Sequence, residues 1–306
     1  MILIVTHKSD FTVDYVIRKL NDKSIPYYRF NCEDVLKRSF GVQIDQQFKY
    51  HINGISDFSS VWFRRTKLPD FNQQPDGIKR YLQDEVDSLF SNLFNTIPAK
   101  WLSNPTNIYR AENKLVQLKE ASKLGMNIPE TIVTNQKDEI KKFYYENEKN
   151  IIIKPIYSNR IFLDNKFGLI YTNKLGEKHI NDLDDFLLSP NIIQRLIDKQ
   201  YELRVTIVDK SVFAAAVDSQ SQKETEIDWR KSRLKFTAYK LPEYIEKQCI
   251  ELVNSLGISF GAIDMIRSKD GSYYFLEVNP NGQWAWIEND TGLNISDAII
   301  KYLNNK

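Results

Sequence analysis

FGAIDMIRSKDGSYYFLEVNPNGQW, residues 260–284, consists of two apolar-rich runs on either side of Asp270-Gly271. An Asp-Gly pair between such runs favours a two-residue type I′ turn, and so a β-hairpin. With those two residues as the loop, Lys269 faces Ser272 and Asp264 lies directly opposite Glu277. Directly paired residues share one face of a sheet, and Asn279, two positions beyond Glu277, joins them there. Met265, Leu276 and Val278 then fill the opposite face, and a one-residue slip would break the arrangement. Facing carboxylates repel unless positive charge lies between them. Mg²⁺ is held by one or two carboxylates together with substrate phosphates, and two such ions could share this cluster. The alternative is a solvated sheet face with Glu277 paired to a lysine. The amide of Asn279, Pro280 at the strand end and the tryptophan-bearing loop beyond it favour the metal.

The rest of the chain fits a soluble globular protein of two or three subdomains. Its 306 residues are too many for one small core. Its 42 basic and 40 acidic groups leave a net charge of +2. Such a balance gives no broad basic field, which argues against nucleic-acid binding. Cys32 and Cys249 form no disulfide framework or zinc motif, and His7, His51 and His179 have no metal-ligand spacing. MILIVTHKSDF reads as a first strand and not as a signal peptide. No apolar run reaches the roughly 20 residues of a membrane span. A cytoplasmic location is expected.

Periodicity divides the chain into three blocks. In residues 1–104, the strand 2–6, a helix over 10–22 and the strand IPYYRF open a small parallel sheet. Short strands around Asn53-Gly54, the strand SVWFRRT (60–66) and a helix over about 75–95 follow. Residues 105–190 begin with one capped helix, NPTNIYRAENKLVQLKEASKLG, ending at Gly125. They continue with IPETIVT, a helix near 136–146, the strand NIIIKP, hairpins over 157–180 and a short helix, NDLDDFLL. Residues 191–306 hold NIIQRLID, a pair of strands around Asp209-Lys210, a helix over 243–256 and the hairpin quoted first. The expected fold class is α/β (α+β).

Together, GAIDMI and FLEVNPNGQW resemble the ATP-grasp superfamily, and within it the graspetide (microviridin-type) peptide macrocyclases. VWFRRT, IIIKP, IIQRLID with YELRV, EIDWRKSRL and EVNPNGQWAWIE occur in the family's order over nearly the whole chain. The resemblance implies a three-part ATP-grasp fold, with ATP and Mg²⁺ held between the central and C-terminal parts. It also implies chemistry on a carboxylate. An Asp or Glu side chain of a ribosomal precursor peptide is phosphorylated, and a Thr or Ser hydroxyl or a Lys amine of the same peptide then displaces phosphate. The leader of that peptide is expected on the hairpins over about 157–190. Such ligases commonly form homodimers, and self-association of this chain is left open.

The resemblance also implies residue roles. Lys154 and Lys114 meet the phosphates. A lysine that ends an apolar run is costly unless anions pair with it, which agrees for Lys154; Lys114 alone is as easily a solvated helix lysine. Gln194, Arg195, Leu196 and Ile197 form the adenine hinge. In YELRVTIVD, Glu202 and Arg204 share one face by period two, and they fit a ribose acceptor and a clamp on the transferring phosphoryl group. A cross-strand salt bridge is the alternative for them. Asp228, Arg230 and Arg233 are expected at the substrate, with Arg230 nearer the acyl group. Of Arg64 and Arg65, strand alternation allows at most one into the site. Trp284 and Trp286 are apolar walls of the acceptor entrance, one of them packed in the core. No glycine follows Lys154 until Gly168, so the phosphate lid works by side chains such as Ser158 and Asn159 or is less tight. A ligase adding a free amino acid such as glutamate, and a peptide-binding homologue without catalysis, are the rival readings.

Overall fold

The computed structural model describes residues 1–36, 40–157, 160–163, 166–184 and 188–305. The lid positions Ser158 and Asn159 lie outside them, as do Asp164 and Asn165, where one of the hairpins expected over 157–180 was to turn. No helix among the described residues is long and apolar enough to cross a membrane.

The first block builds a parallel sheet. Its strands are β1 (Ile2–Thr6), β2 (Tyr27–Asn31), β5 (Ser60–Phe63) and β6 (Lys100–Trp101), in the order β2-β1-β5-β6. ILIVT is buried along its whole length, as the central strand of a covered parallel sheet should be. Asp10 caps α1 (Phe11–Asp22) by accepting from the amides of Thr12 and Val13. β3 (Val42–Ile44) and β4 (Tyr50–Ile52) form a small hairpin, and Asn53-Gly54 closes the next bend with positive φ at both residues. α2 (Asp76–Thr96) packs Phe90 and Phe94 into the core.

The expected single helix after residue 104 is two. α3 (Pro105–Ala111) has Asn104 as its cap and proline at its start, and α4 (Lys114–Lys123) is capped anew by Asn113. An asparagine whose side chain takes the amides of Leu115 and Val116 starts a helix more readily than it continues one. The break places Lys114 at the first turn of α4.

β7 (Thr131–Thr134), α5 (Lys137–Glu146) and β8 (Ile151–Lys154) follow, then the hairpin β9 (Arg160–Leu163) and β10 (Lys166–Leu169), and β11 (Asn173–Leu175). A short helix, α6 (Glu177–Asn181), ends on the first residue of the NDLDDFLL stretch, and positions 185–187 of the helix expected there lie outside the described residues. β12 (Asn191–Arg195) completes an antiparallel sheet in the order β11-β8-β12-β7, over a core of Ile140, Phe143, Ile151 and Ile193.

The last sheet is antiparallel. β13 (Lys199–Val208), β14 (Ser211–Val217), β15 (Thr237–Ala238), β16 (Phe260–Ser268) and β17 (Tyr273–Asn279) run in the order β15-β14-β13-β16-β17. α7 (Glu243–Ser255) packs Cys249 and Leu252 with Leu203, Val205 and Ile207 of one face. Ala215, Val217 and Phe260 pack with α8 (Ala285–Thr291), α9 (Ile295–Asn304) and Ile2, Ile4 and Trp62 of the first sheet. The second half of the expected tryptophan loop, from Ala285, is therefore helix.

The hairpin β16–β17 carries two departures from its expected register, and they cancel. Ser268 faces Ser272 across a three-residue loop, Lys269-Asp270-Gly271, with Gly271 at φ +89°. Toward the strand interior Met265 pairs with Phe275, while Asp264 pairs with Glu277, so Leu276 is the extra residue of a bulge. Asp264 thus faces Glu277 as expected. Leu276, expected in the core with Met265 and Val278, instead lines the cleft with Ile266, and Phe275 takes its core place.

Candidate active site

A cleft of about 660 Å³ opens between the central sheet, the last sheet and the ends of the first-block strands. At its floor Asn279 Nδ2 donates to Asp264 Oδ2 at 3.1 Å and lies 3.4 Å from Glu277 Oε1. Arg204, across the strand pair, donates Nη1 to Asp264 Oδ1 at 2.8 Å and Nη2 to the Gln283 carbonyl at 3.3 Å. Lys114 Nζ donates to the Pro155 carbonyl at 2.9 Å and lies 3.5 Å from Glu277 Oε2. The salt bridges weighed as alternatives for Glu277 and Arg204 are thus present in the protein alone. Both use carboxylate oxygens of the residues expected to hold the metal.

The charges of this floor are mutually dependent. Burial and the neighbouring Glu277 raise the proton affinity of Asp264, against the pull of Arg204. Burial works the same way on Glu277, but Lys114, Lys154 and Arg230 outweigh it and hold that carboxyl below its usual range. At the end of β8, burial lowers the Lys154 ammonium to about 8, with Lys114 adding to the shift and Glu277 and Asp264 opposing it. Two carboxylates and an amide set among dehydrated cations are a donor set that would suit a divalent ion together with phosphates. The residues fit Mg²⁺ with a nucleotide.

The cleft takes in the strand exit at Gln194–Ile197. Gln194 is fully buried and donates Nε2 to Thr131 Oγ1 at 2.8 Å; its Oε1 has no partner among the described residues. The amides of Arg195 and Leu196 go to the carbonyls of Glu130 and Asn150, both at 2.9 Å. Glu202 pairs with Lys199 at 2.8 Å, and burial raises its proton affinity against that lysine. Along the side wall, Asp228 accepts from the Thr172 amide at 3.1 Å and from Arg230 Nε at 2.8 Å and Nη2 at 2.5 Å. Burial works to raise the Asp228 carboxyl, but Arg230 and that amide bring it below the usual range.

Arg64 and Arg65 both reach the cleft, contrary to strand alternation. β5 stops at Phe63, so neither arginine is a strand residue. Arg64 is buried and donates to the carbonyls of Asn281 (2.6 Å) and Gly282 (3.3 Å) and to Gln283 Oε1 (2.9 Å). Burial lowers it to about 10. Arg65 Nη2 lies 3.4 Å from the Asn281 carbonyl.

Two expected substrate residues are not in the cleft. Trp284 is fully buried, edge-on to Tyr15 beneath α1, because its side chain fills the joint between the first block and α8. Arg233 is exposed and outside the cleft lining, since the turn Trp229–Lys231 ends before it. The tryptophan at the cleft is Trp229, whose ring packs on Phe236 (5.0 Å) and Trp286 (5.5 Å). Sequence reading also passed over Gln117, Glu112, Tyr109 and Gly282. Gln117 had a signal: it stands one helical turn after Lys114, a polar residue on the face that α4 buries.

Residues 111–303 match the family profile of the RimK-like ATP-grasp domain. Among solved structures, a Chryseobacterium gregarium RiPP-associated ATP-grasp ligase, in complex with ADP and a leader and core peptide, is 29% identical with a TM-score of 0.87, covering 99% of this chain and 94% of its own. The macrocyclase MdnC of Microcystis aeruginosa, bound with precursor peptide MdnA, is 27% identical with a TM-score of 0.87, covering 100% of this chain and 99% of its own. Among curated proteins, the tetrahydromethanopterin:alpha-L-glutamate ligase of Methanocaldococcus jannaschii is 22% identical over 97% of this chain and 96% of its own length.

Proposed function

Because the chain belongs to the RimK-like ATP-grasp family of ADP-forming ligases, we propose that it macrocyclises a ribosomally made precursor peptide by joining Asp or Glu side chains to Thr or Ser hydroxyls or Lys amines. The observation that carries the reading is the convergence of Asp264, Glu277 and Asn279 with Lys114, Lys154, Arg204 and Arg230 in one cleft that also reaches Arg64 and Arg65. It is supported by the similarity to two ligases solved with precursor peptides.

In this reading the nucleotide lies between the central part (105–190) and the C-terminal part (191–306), with its base at Gln194–Ile197 and its ribose at Glu202. Mg²⁺, one ion or two, is held by Asp264, Glu277 and Asn279 and neutralises phosphate charge. Lys114 and Lys154 meet the phosphates. A peptide carboxylate attacks the γ-phosphate, giving an acyl phosphate and ADP. Arg204 stabilises the transferring group, and Arg230, held rigid by Asp228, meets the acyl oxygen. The acceptor then displaces phosphate. No covalent protein nucleophile is needed, and exclusion of water protects the acyl phosphate.

A second reading, addition of a free amino acid, is favoured by the curated relatives, which are a glutamate ligase and an alpha-aminoadipate–LysW ligase. It uses the same phosphate and metal residues. The test is ADP release with Mg²⁺-ATP and a Thr- and acid-rich peptide encoded beside the gene, with and without free amino acids. Release that needs only the peptide supports macrocyclisation; release that needs an added amino acid supports the second reading. No release under either condition favours a binding protein, although such a protein has no use for the complete cation and oxygen set.

A further inference from the structure

The carboxylates that line the cleft differ in their attachments. Asp264 is held by Arg204 and Asn279, Glu277 by Lys114, Asp228 by Arg230 and the Thr172 amide, and Glu202 by Lys199. Glu112 lines the same cleft, and its carboxylate has no hydrogen bond or ion pair among the described residues. It stands in the break between α3 and α4, where Asn113 starts the second helix. Its place is therefore set by backbone capping and leaves the carboxylate uncommitted. It shares the cleft with Arg65 and Tyr109 and interacts electrostatically with both.

Resting on the macrocyclase reading, we propose that Glu112 is the proton acceptor for the attacking side chain in the second half-reaction. The acceptor oxygen bonds to the acyl carbon. The bond from that carbon to the phosphate oxygen breaks, and phosphate leaves with the electron pair. The hydroxyl proton passes to the Glu112 carboxylate and from there to solvent. The ionisable groups that face Glu112 are Arg65, from the segment after β5, and Tyr109, from α3; Asp87 of α2 and Tyr157 act in turn on Tyr109. Partial burial raises the proton affinity of Glu112, against the pull of Arg65, which suits a group that must take up a proton near neutrality. Seven cationic side chains line the cleft, Arg64, Arg65, Lys114, Lys154, Arg195, Lys199 and Arg230, against five carboxylates. A neutral hydroxyl enters such a field more readily than an ammonium, so the favoured product is an ester.

The experiment uses the peptide that the wild-type protein closes, with ADP release and peptide mass followed together and hydroxylamine present as a trap. In Glu112→Gln, peptide-dependent ADP release should persist while ring closure falls by about 10²-fold or more. The acyl phosphate should then appear as the peptide hydroxamate. Single-turnover ring closure in the wild type should rise with pH through one ionisation that is missing from Glu112→Gln, and Glu112→Asp should restore part of the rate. Ring closure by Glu112→Gln at the wild-type rate overturns the assignment and leaves the macrocyclase reading standing. Parallel loss of ADP release and closure in both variants also overturns it, because the residue would then be structural. A wild-type protein that closes no peptide and adds an amino acid instead overturns both.

Discussion

Gln117 binds Val278 through both of that residue's backbone groups. Its Oε1 accepts from the Val278 amide and its Nε2 donates to the Val278 carbonyl, both at 2.8 Å. β17 is the edge strand of its sheet. The buried side chain of Gln117 therefore stands in for the missing neighbour, between the two candidate metal ligands Glu277 and Asn279. A second donation, to the Ala111 carbonyl at 2.6 Å, ties the same amide to the end of α3.

Replacing Gln117 by leucine strands buried backbone groups, at a cost of about 1–3 kcal/mol for each one left unsatisfied. It also frees the strand that presents the ligands. The Mg²⁺ concentration needed for half-maximal ADP release should rise by about 10–100-fold, as when the outer support of a metal site is lost. A magnesium titration of the variant measures this. An unchanged magnesium requirement would show that Gln117 only stabilises the fold.

Gly282 leaves no room for a side chain. A Cβ there would lie 2.5 Å from Ala262 Cβ and 2.8 Å from Arg204 Nη2. Gly282→Ala must displace either the backbone of β16 or the Arg204 guanidinium. Since displacements of about 1 Å near the chemistry cost on the order of 10²-fold, kcat should fall by that order. Steady-state kinetics on a folded variant, checked by circular dichroism, measure it.

Lys154 sets a pH dependence of stability. Burial holds it at about 8 in the folded protein, while the unfolded chain keeps this proton up to about 10.4. Between those values the unfolded state binds more protons, so this residue makes the nucleotide-free protein more stable as pH rises through the window. Below about 8 the dehydrated charge costs stability. Lys154→Met should therefore raise the melting temperature of the nucleotide-free protein at pH 7 and abolish the further rise given by Mg²⁺-ATP. Thermal unfolding with and without nucleotide checks both.

Trp284 and Trp229 should separate stability from peptide binding. Trp284→Ala removes a fully buried ring and should destabilise the protein by about 3–5 kcal/mol. Trp229→Ala removes a cleft-lining ring and should raise the KM for peptide several-fold with little change in melting temperature. Denaturant titration and peptide-dependent kinetics distinguish the two.

Much of this was legible in the chain. Apolar runs and turn pairs located most strands, and the resemblance ordered them. Asp264 was placed opposite Glu277 because the longer loop at Lys269–Gly271 and the bulge at Leu276 compensate each other. Neither feature shows in a period-two pattern, so Leu276 was assigned to the wrong face. Arg64 and Arg65 were misjudged because alternation holds only while the strand lasts, and β5 ends one residue earlier. Trp284 was misjudged because its burial depends on α1, which is remote in sequence. The uncommitted state of Glu112 depends on a helix break that the pattern of α3 and α4 does not announce.

The most direct measurement is the mass of the candidate precursor peptide after incubation with the protein and Mg²⁺-ATP, with the Glu277→Gln variant as control. The expected result is loss of one water mass for each ring closed, with matching ADP release, and neither change with the variant. A peptide heavier by one amino-acid residue, or one unchanged while ATP is left intact, would contradict peptide macrocyclisation.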